Sequence, residues 1–261
     1  MERRRLRIAV HKFASCDGCQ LAFLNAGETL LALAEAHDFV HFPELGPVDP
    51  EAEADVAFVE GSVCTEEERE RIQAIRARSA CLVTLGACAT AGGLQALRNL
   101  ADGEAWLRDI YPRREYLDAL ATATPVAEHV HVDLALWGCP VDGGQVLEVL
   151  AQLALGLRPA PGADKLCLEC KRAGHPCTLV TQGRPCLGPV TRGGCGALCP
   201  RHGRDCYGCF GPAEHPNTDA LGVRLEGLGL IDAAIARRFL FINSAAPEFR
   251  RAGLRWRGEA P

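Results

Sequence analysis

Eight of the fourteen cysteines in this 261-residue chain fall between Cys167 and Cys209, and four more stand in glycine-rich turns nearer its start. Thiols at this density either cross-link a small exported domain or ligate metal. The first group comprises Cys16-Asp-Gly-Cys19, Gly86-Ala-Cys88-Ala-Thr-Ala-Gly-Gly93 and Gly138-Cys139-Pro-Val-Asp-Gly143. Four thiolates are the usual ligand set of an iron–sulfur cluster. Glycines suit that chemistry because a bulky cluster needs backbone at close range to donate N–H groups to its sulfurs. A zinc ion or a thiol redox pair is the competing reading of any single Cys-x-x-Cys.

The second group is Cys167-Leu-Glu-Cys170, Cys177, Pro185-Cys186-Leu-Gly-Pro189, Gly194-Cys195-Gly-Ala-Leu-Cys199-Pro200 and Cys206-Tyr-Gly-Cys209-Phe-Gly-Pro212. Eight thiols make two sets of four. Paired Cys-x-x-Cys units also occur in zinc ribbons. Here, however, Cys-Leu-Gly-Pro and Cys-Phe-Gly-Pro turns replace the short alternating hairpins of a ribbon, which favours iron–sulfur clusters and leaves zinc as the alternative.

Export would favour disulfides. Met1-Glu-Arg-Arg-Arg-Leu6 could open a twin-arginine signal, but no apolar core or cleavage site follows before Cys16. No apolar run reaches the roughly 18–20 residues of a membrane span. The expectation is a cytoplasmic chain whose thiols serve metal. Hydrophobic residues make up 48% and charged residues 23%, enough to bury a core, and the net charge of −5 argues against a nucleic-acid surface.

The elements that must position these thiols alternate. Strand-like runs at 6–13, 39–42, 54–60, 80–85 and 131–137 are interleaved with helix-like runs at 19–36, 66–78 and 144–155. Thr65 and Glu68 form a capping-box pattern before the second of these. Such alternation predicts an α/β fold with a parallel, helix-covered sheet, whose ligands gather at the carboxyl ends of the strands. Cys16 and Cys19 follow the first strand, Cys88 the fourth and Cys139 the fifth, so all four should meet on one rim. A Pro/Gly linker at 157–163 separates residues 1–160 from an irregular Cys-rich domain, 161–261. Residues 164–215 hold few apolar side chains, and the one helix expected beyond them covers 231–241.

Over nearly its whole length the sequence resembles the small subunits of [NiFe]-hydrogenases. It is most similar to the cytoplasmic, pyridine-nucleotide-linked group that includes the delta subunits of sulfhydrogenases. The motifs above carry the resemblance, together with Val59-Glu-Gly-Ser-Val63 and Pro185-Cys-Leu-Gly-Pro-Val-Thr191. The resemblance implies a flavodoxin-like first domain with a proximal [4Fe–4S] cluster on Cys16, Cys19, Cys88 and Cys139. It implies a distal cluster on Cys167, Cys170, Cys177 and Cys186, and a medial one on Cys195, Cys199, Cys206 and Cys209. It also implies a large subunit bearing the NiFe site, and partner subunits carrying iron–sulfur clusters, FAD and NAD(P). On this reading the chain relays electrons and catalyses no bond chemistry itself.

Two departures from the family pattern bear on that role. Cys167 stands where many relatives open the distal set with histidine, and Cys199 where many have proline and a three-iron cluster. Extra thiolates add negative charge and should lower potentials. Gly18 occupies a position that is cysteine in oxygen-tolerant relatives, so a plain cubane is expected. Glu60, at the end of a strand near the rim, is a candidate for a subunit interface or a proton relay. Cys64, Cys81 and His175 are read as structural. The rival assignments are a zinc-stabilised interaction subunit, the related quinone-oxidoreductase subunit and a stand-alone ferredoxin-type carrier.

Overall fold

The computed structural model describes residues 5–162 and 164–260. The first four residues of the signal-like start, and Ala163 at the end of the linker, lie outside the described residues. The chain divides into two compact units, one ending at Ala160 and the other starting at Pro161.

In the first unit, β1 (Arg7–Lys12) leads to α1 (Gly18–Leu24) and α2 (Glu28–Ala36). Then come β2 (Asp38–His41), β3 (Ala54–Glu60), α3 (Glu66–Ala77), β4 (Ser79–Leu85), α4 (Gly86–Ala91), α5 (Gly103–Ile110), β5 (Leu134–Leu136) and α6 (Gly143–Ala154). The five strands are parallel and ordered β2-β1-β3-β4-β5, the flavodoxin-like arrangement. Ile8, Val10, Phe23, Phe42, Phe58, Leu136 and Leu150 are buried on one face of the sheet. Ala9, Phe13, Val59, Ile72 and Leu82 are buried on the other. Strands buried on both faces are what near-continuous runs such as Ala54-Asp-Val-Ala-Phe-Val-Glu60 require.

Two sequence expectations need correction here. The helix expected over 19–36 is broken, because Gly27 takes φ +58° and separates α1 from α2. The fifth strand is shorter than 131–137. The Asp133 carboxylate accepts the Leu82 N–H at 2.7 Å and pairs with Arg76, so a side chain replaces the ladder at its start. The Thr65–Glu68 capping box forms as expected.

In the second unit, α7 (Leu166–Arg172), α8 (Thr178–Thr181) and α9 (Leu198–Arg201) are short helices among cysteine loops. They precede α10 (Thr218–Glu226), α11 (Asp232–Phe239) and α12 (Pro247–Arg257). Sequence periodicity pointed only to the middle of these last three. In α10 and α12, Gly222 and Gly253 interrupt the apolar stripes. Both glycines are packing sites: a Cβ on Gly253 would run into Leu240, and one on Gly222 into the Trp256 indole. The Phe239 and Phe249 rings meet at a tilt of 57° with centroids 6.0 Å apart, and Phe249 reaches Gly208 between the last two cysteines. The cysteine loops thus gain an apolar core from downstream helices, which the composition of 164–215 did not indicate. No described helix is long and apolar enough to cross a membrane.

Next to the site-bearing rim, His11 on β1 stacks on His41 of β2 at 4.6 Å, and both rings are buried. Burial, with the charges of His41 and Arg71 adding to it, holds His11 down at about 3. The unfolded chain would protonate this residue near the ordinary 6.5, so stability should fall as pH drops below 6.5. The slope for a single site is up to about 1.4 kcal/mol per pH unit. Urea unfolding between pH 7 and pH 5 should show this loss, and His11→Asn should flatten it.

Candidate metal centres

The first four thiols sit where the parallel sheet presents its carboxyl ends. Cys16 lies in the loop after β1 and Cys19 in the first turn of α1. Cys88 lies in α4, directly after β4, and Cys139 lies in the turn after β5. Burial pushes the Cys88 thiol up to about 12, with Cys139, Cys16 and Glu60 adding to the shift. Cys19 is raised further by burial, helped by Glu60, Cys88 and Cys139 and opposed by a hydrogen bond from Val141. Cys139 is raised by burial, then by Cys16 and Glu60. Cys19, Cys88 and Cys139 are thus each raised by burial and by neighbouring thiols of this group. Thiols that resist ionisation together in a low-dielectric pocket lose that resistance when a cationic core takes their charge.

The backbone around these thiols is shaped to leave space. Gly86 has φ +77°, and a Cβ there would collide with the Cys19 sulfur and lie 3.1 Å from the Gly138 carbonyl. At Gly93, φ +58°, a Cβ would collide with the Cys88 sulfur, and at Gly18 it would lie 3.4 Å from that of Cys16. The Val141 N–H donates to Cys19 Sγ at 3.5 Å. Glycine-cleared thiol surroundings with an N–H donor fit a cluster.

Glu60 ends β3 on this rim and is 1% exposed. Its Oε1 accepts the Cys19 N–H at 3.0 Å and its Oε2 the Gln20 N–H at 3.3 Å, so both oxygens hold the start of α1. The loop before α1 is held a second time, by Lys12 Nζ on Asp17 Oδ2 at 2.6 Å, with Asp17 in the left-handed region at φ +64°.

In the second unit, Cys167 and Cys170 lie on α7, Cys177 precedes α8, and Cys186 occupies the Pro-Cys-Leu-Gly-Pro turn. Burial raises Cys167, with Cys186 and Cys177 adding. It raises Cys170 to about 11, with Cys167, Cys186, Cys177 and Cys195 adding. A Cβ on Gly188 would lie 3.4 Å from Cys186 Sγ and 3.6 Å from Cys167 Sγ, so those two sulfurs flank one glycine. The structure also links Cys195 with Cys199 and Cys206 with Cys209, while Cys186 acts on both Cys199 and Cys206. Cys206 N–H donates to Cys186 Sγ at 3.2 Å, and Gly208 N–H to Cys206 Sγ at 3.3 Å. Among the described residues, no three His, Cys, Asp or Glu side chains are grouped so as to hold a single metal ion.

Three supports escaped sequence reasoning. Asn243 Nδ2 donates to the Gly208 carbonyl at 2.7 Å and the Cys209 carbonyl at 3.2 Å. Arg238 donates to Asp205, beside Cys206, at 2.5 Å. The Glu169 carboxylate accepts the Gly194 and Ala197 N–H groups. Asn243 and Arg238 lie some thirty residues beyond the turns they hold, and no local pattern marks them. Cys64 is buried beside Ser62, Cys81 lies on β4, and His175 donates its backbone N–H to the Cys170 carbonyl at 3.0 Å.

A family model described as NADH ubiquinone oxidoreductase, 20 Kd subunit, matches residues 16–153, a stretch holding the whole first group of thiols. The chain is 35% identical to the sulfhydrogenase 2 subunit delta of Pyrococcus furiosus, over 89% of this chain and 97% of that one. The chain belongs to the hydrogenase small-subunit branch of this family. A match of that length has to run well into the second unit. The delta subunit of the NAD-reducing hydrogenase HoxS of Cupriavidus necator is 29% identical, over 58% of this chain and 80% of its own length. A crystal structure of an NAD+-reducing [NiFe]-hydrogenase superposes with a TM-score of 0.56 at 35% identity, over 60% of this chain and 95% of that one.

The space left by glycine in this hydrogenase-type small subunit can be tested directly. Gly86→Ala should lower bound iron, because its Cβ displaces the Cys19 sulfur. Gly27→Ala also carries backbone strain, of about 1–3 kcal/mol, but has nothing within 4 Å, and should leave iron unchanged. A colorimetric iron assay on both purified variants makes the comparison.

Proposed function

We propose that this chain is the electron-relaying small subunit of an H2-converting complex, with three [4Fe–4S] clusters held by twelve cysteines. Cys16, Cys19, Cys88 and Cys139 in residues 1–160 would hold the proximal cluster. In residues 161–261, Cys167, Cys170, Cys177 and Cys186 would hold the distal one, and Cys195, Cys199, Cys206 and Cys209 the medial one. Bound there, such clusters supply one-electron acceptance and release.

The chain's own residues do the rest. Burial of Cys19, Cys186 and Cys206 keeps water from those sulfurs. Val141, Cys206 and Gly208 donate N–H groups to thiolate sulfurs, which tunes potential. Glu60 and the Lys12–Asp17 pair fix the Cys16–Cys19 loop, and Asn243 and the Arg238–Asp205 pair fix the last two cysteines. The observation that carries the reading is the placement of four cysteines after three strand ends on one rim where glycines clear space around Cys16, Cys19 and Cys88.

On this reading a large subunit with a NiFe site splits or forms H2, and electrons pass to a flavin and NAD(P) module on other subunits in the cytoplasm. The nicotinamide link is supported by the resemblance to NAD-reducing hydrogenases and by the all-cysteine sets, whose extra negative charge suits a low-potential acceptor. Charge supports an exchange surface on the second unit. Residues 161–261 hold 14 Lys and Arg against 9 Asp and Glu, whereas residues 1–160 hold 14 against 24. A basic unit favours encounter with an acidic electron partner.

The purified native complex should contain about twelve irons per copy of this chain, with cluster signals in its EPR spectrum after dithionite reduction. Cys139→Ala and Cys199→Ala should each abolish most hydrogen-dependent nicotinamide reduction. A colourless zinc-loaded protein, or full activity in either variant, would overturn the proposal.

A further inference from the structure

Glu169 lies between Cys167 and Cys170 on α7, yet its carboxylate points to a different cysteine. Oε1 accepts the Gly194 N–H at 2.5 Å and Oε2 the Ala197 N–H at 3.1 Å, so it grips the loop on both sides of Cys195. The loop is built around that carboxylate. A Cβ on Gly193 would lie 2.7 Å from Glu169 Oε1 and 3.0 Å from its Cδ, so any larger residue there would push the carboxylate off its two N–H partners. Gly194, Gly196 and Ala197 all have positive φ, at 132°, 61° and 54°. For alanine this is a strained conformation that persists only when surroundings impose it. The Glu169–Ala197 hydrogen bond is one such restraint.

Neighbouring backbone bonds tie the two segments further. Leu166 N–H donates to the Thr191 carbonyl at 2.8 Å and Gly193 N–H to the Asp164 carbonyl at 2.8 Å. Those bonds set the two stretches side by side. It is Glu169 that reaches residues on both sides of Cys195.

We infer that Glu169 is a positioning residue that couples two thiol sets, holding the Cys195 loop in its left-handed conformation from the Cys167–Cys170 helix and placing a negative charge beside it. The inference rests on the proposed ligand roles of Cys167, Cys170 and Cys195. A fixed carboxylate beside a cluster disfavours adding an electron, so its removal makes reduction easier. Glu169 therefore keeps the potential of the cluster on Cys195 low, besides shaping its loop.

The test uses the native complex carrying Glu169→Gln, Glu169→Asp or Glu169→Ala, with iron assay and EPR-monitored redox titration. Glu169→Gln keeps one oxygen acceptor and removes the charge. It should retain full iron and raise the midpoint potential of one cluster while leaving the others in place. Glu169→Ala should lose about four of twelve irons, and Glu169→Asp should restore part of that loss. Wild-type potentials in Glu169→Gln would overturn the charge role. Full iron in Glu169→Ala would overturn the loop-holding role. Unchanged variants of an iron-replete wild type would sink this inference alone, whereas a wild type without iron would sink the ligand assignment beneath it.

Discussion

Thiols that would repel one another if ionised crowd together at the cysteine loops, and the surrounding architecture is arranged around that constraint. Ionising Cys88 is disfavoured by burial and by Cys139, Cys16 and Glu60 at once, and Cys170 is opposed by burial and four other thiols. Such groups become thiolates together only if the backbone holds them in place and something positive is taken up among them. Backbone grip is visible at both units. Parallel strands deliver cysteines to one rim in the first, and left-handed turns and glycine contacts pack them in the second.

Carboxylates recur as the gripping device. Glu60 takes the N–H groups of Cys19 and Gln20, Glu169 those of Gly194 and Ala197, and Glu68 those of Cys64 and Thr65. In each case one side chain satisfies two backbone donors at the mouth of a turn or helix. A charged acceptor makes these bonds stronger than neutral ones. Two of the three hold cysteine loops, where they add negative charge to sites already crowded with sulfur.

Much of this was legible in the sequence, for reasons that differ by element. Strands such as 54–60 and 80–85 are near-continuous apolar runs, and parallel pairing follows from their alternation with helices. The convergence of Cys16, Cys19, Cys88 and Cys139 follows from that topology alone. The helix break at Gly27 was harder to see, because an isolated glycine inside an apolar period does not say whether it is tolerated or used. α10 and α12 were invisible, since the glycines that let them pack also erase their periodicity. Glu169 stood in plain view inside a Cys-x-x-Cys motif. Its partners, twenty-five and twenty-eight residues away, are a product of tertiary folding and have no local signature.

The clasp of Asn243 on the Gly208 and Cys209 carbonyls has a temporal side. Translation delivers all the cysteines well before it delivers this asparagine and the phenylalanine that follows at 249, which packs against Gly208. While the nascent chain is still in the ribosome's exit tunnel, the last cysteine turn has neither its amide clasp nor its apolar backing. That turn can reach its final shape only once residues 243 and 249 have been made, so a full set of cysteines does not by itself complete the second unit.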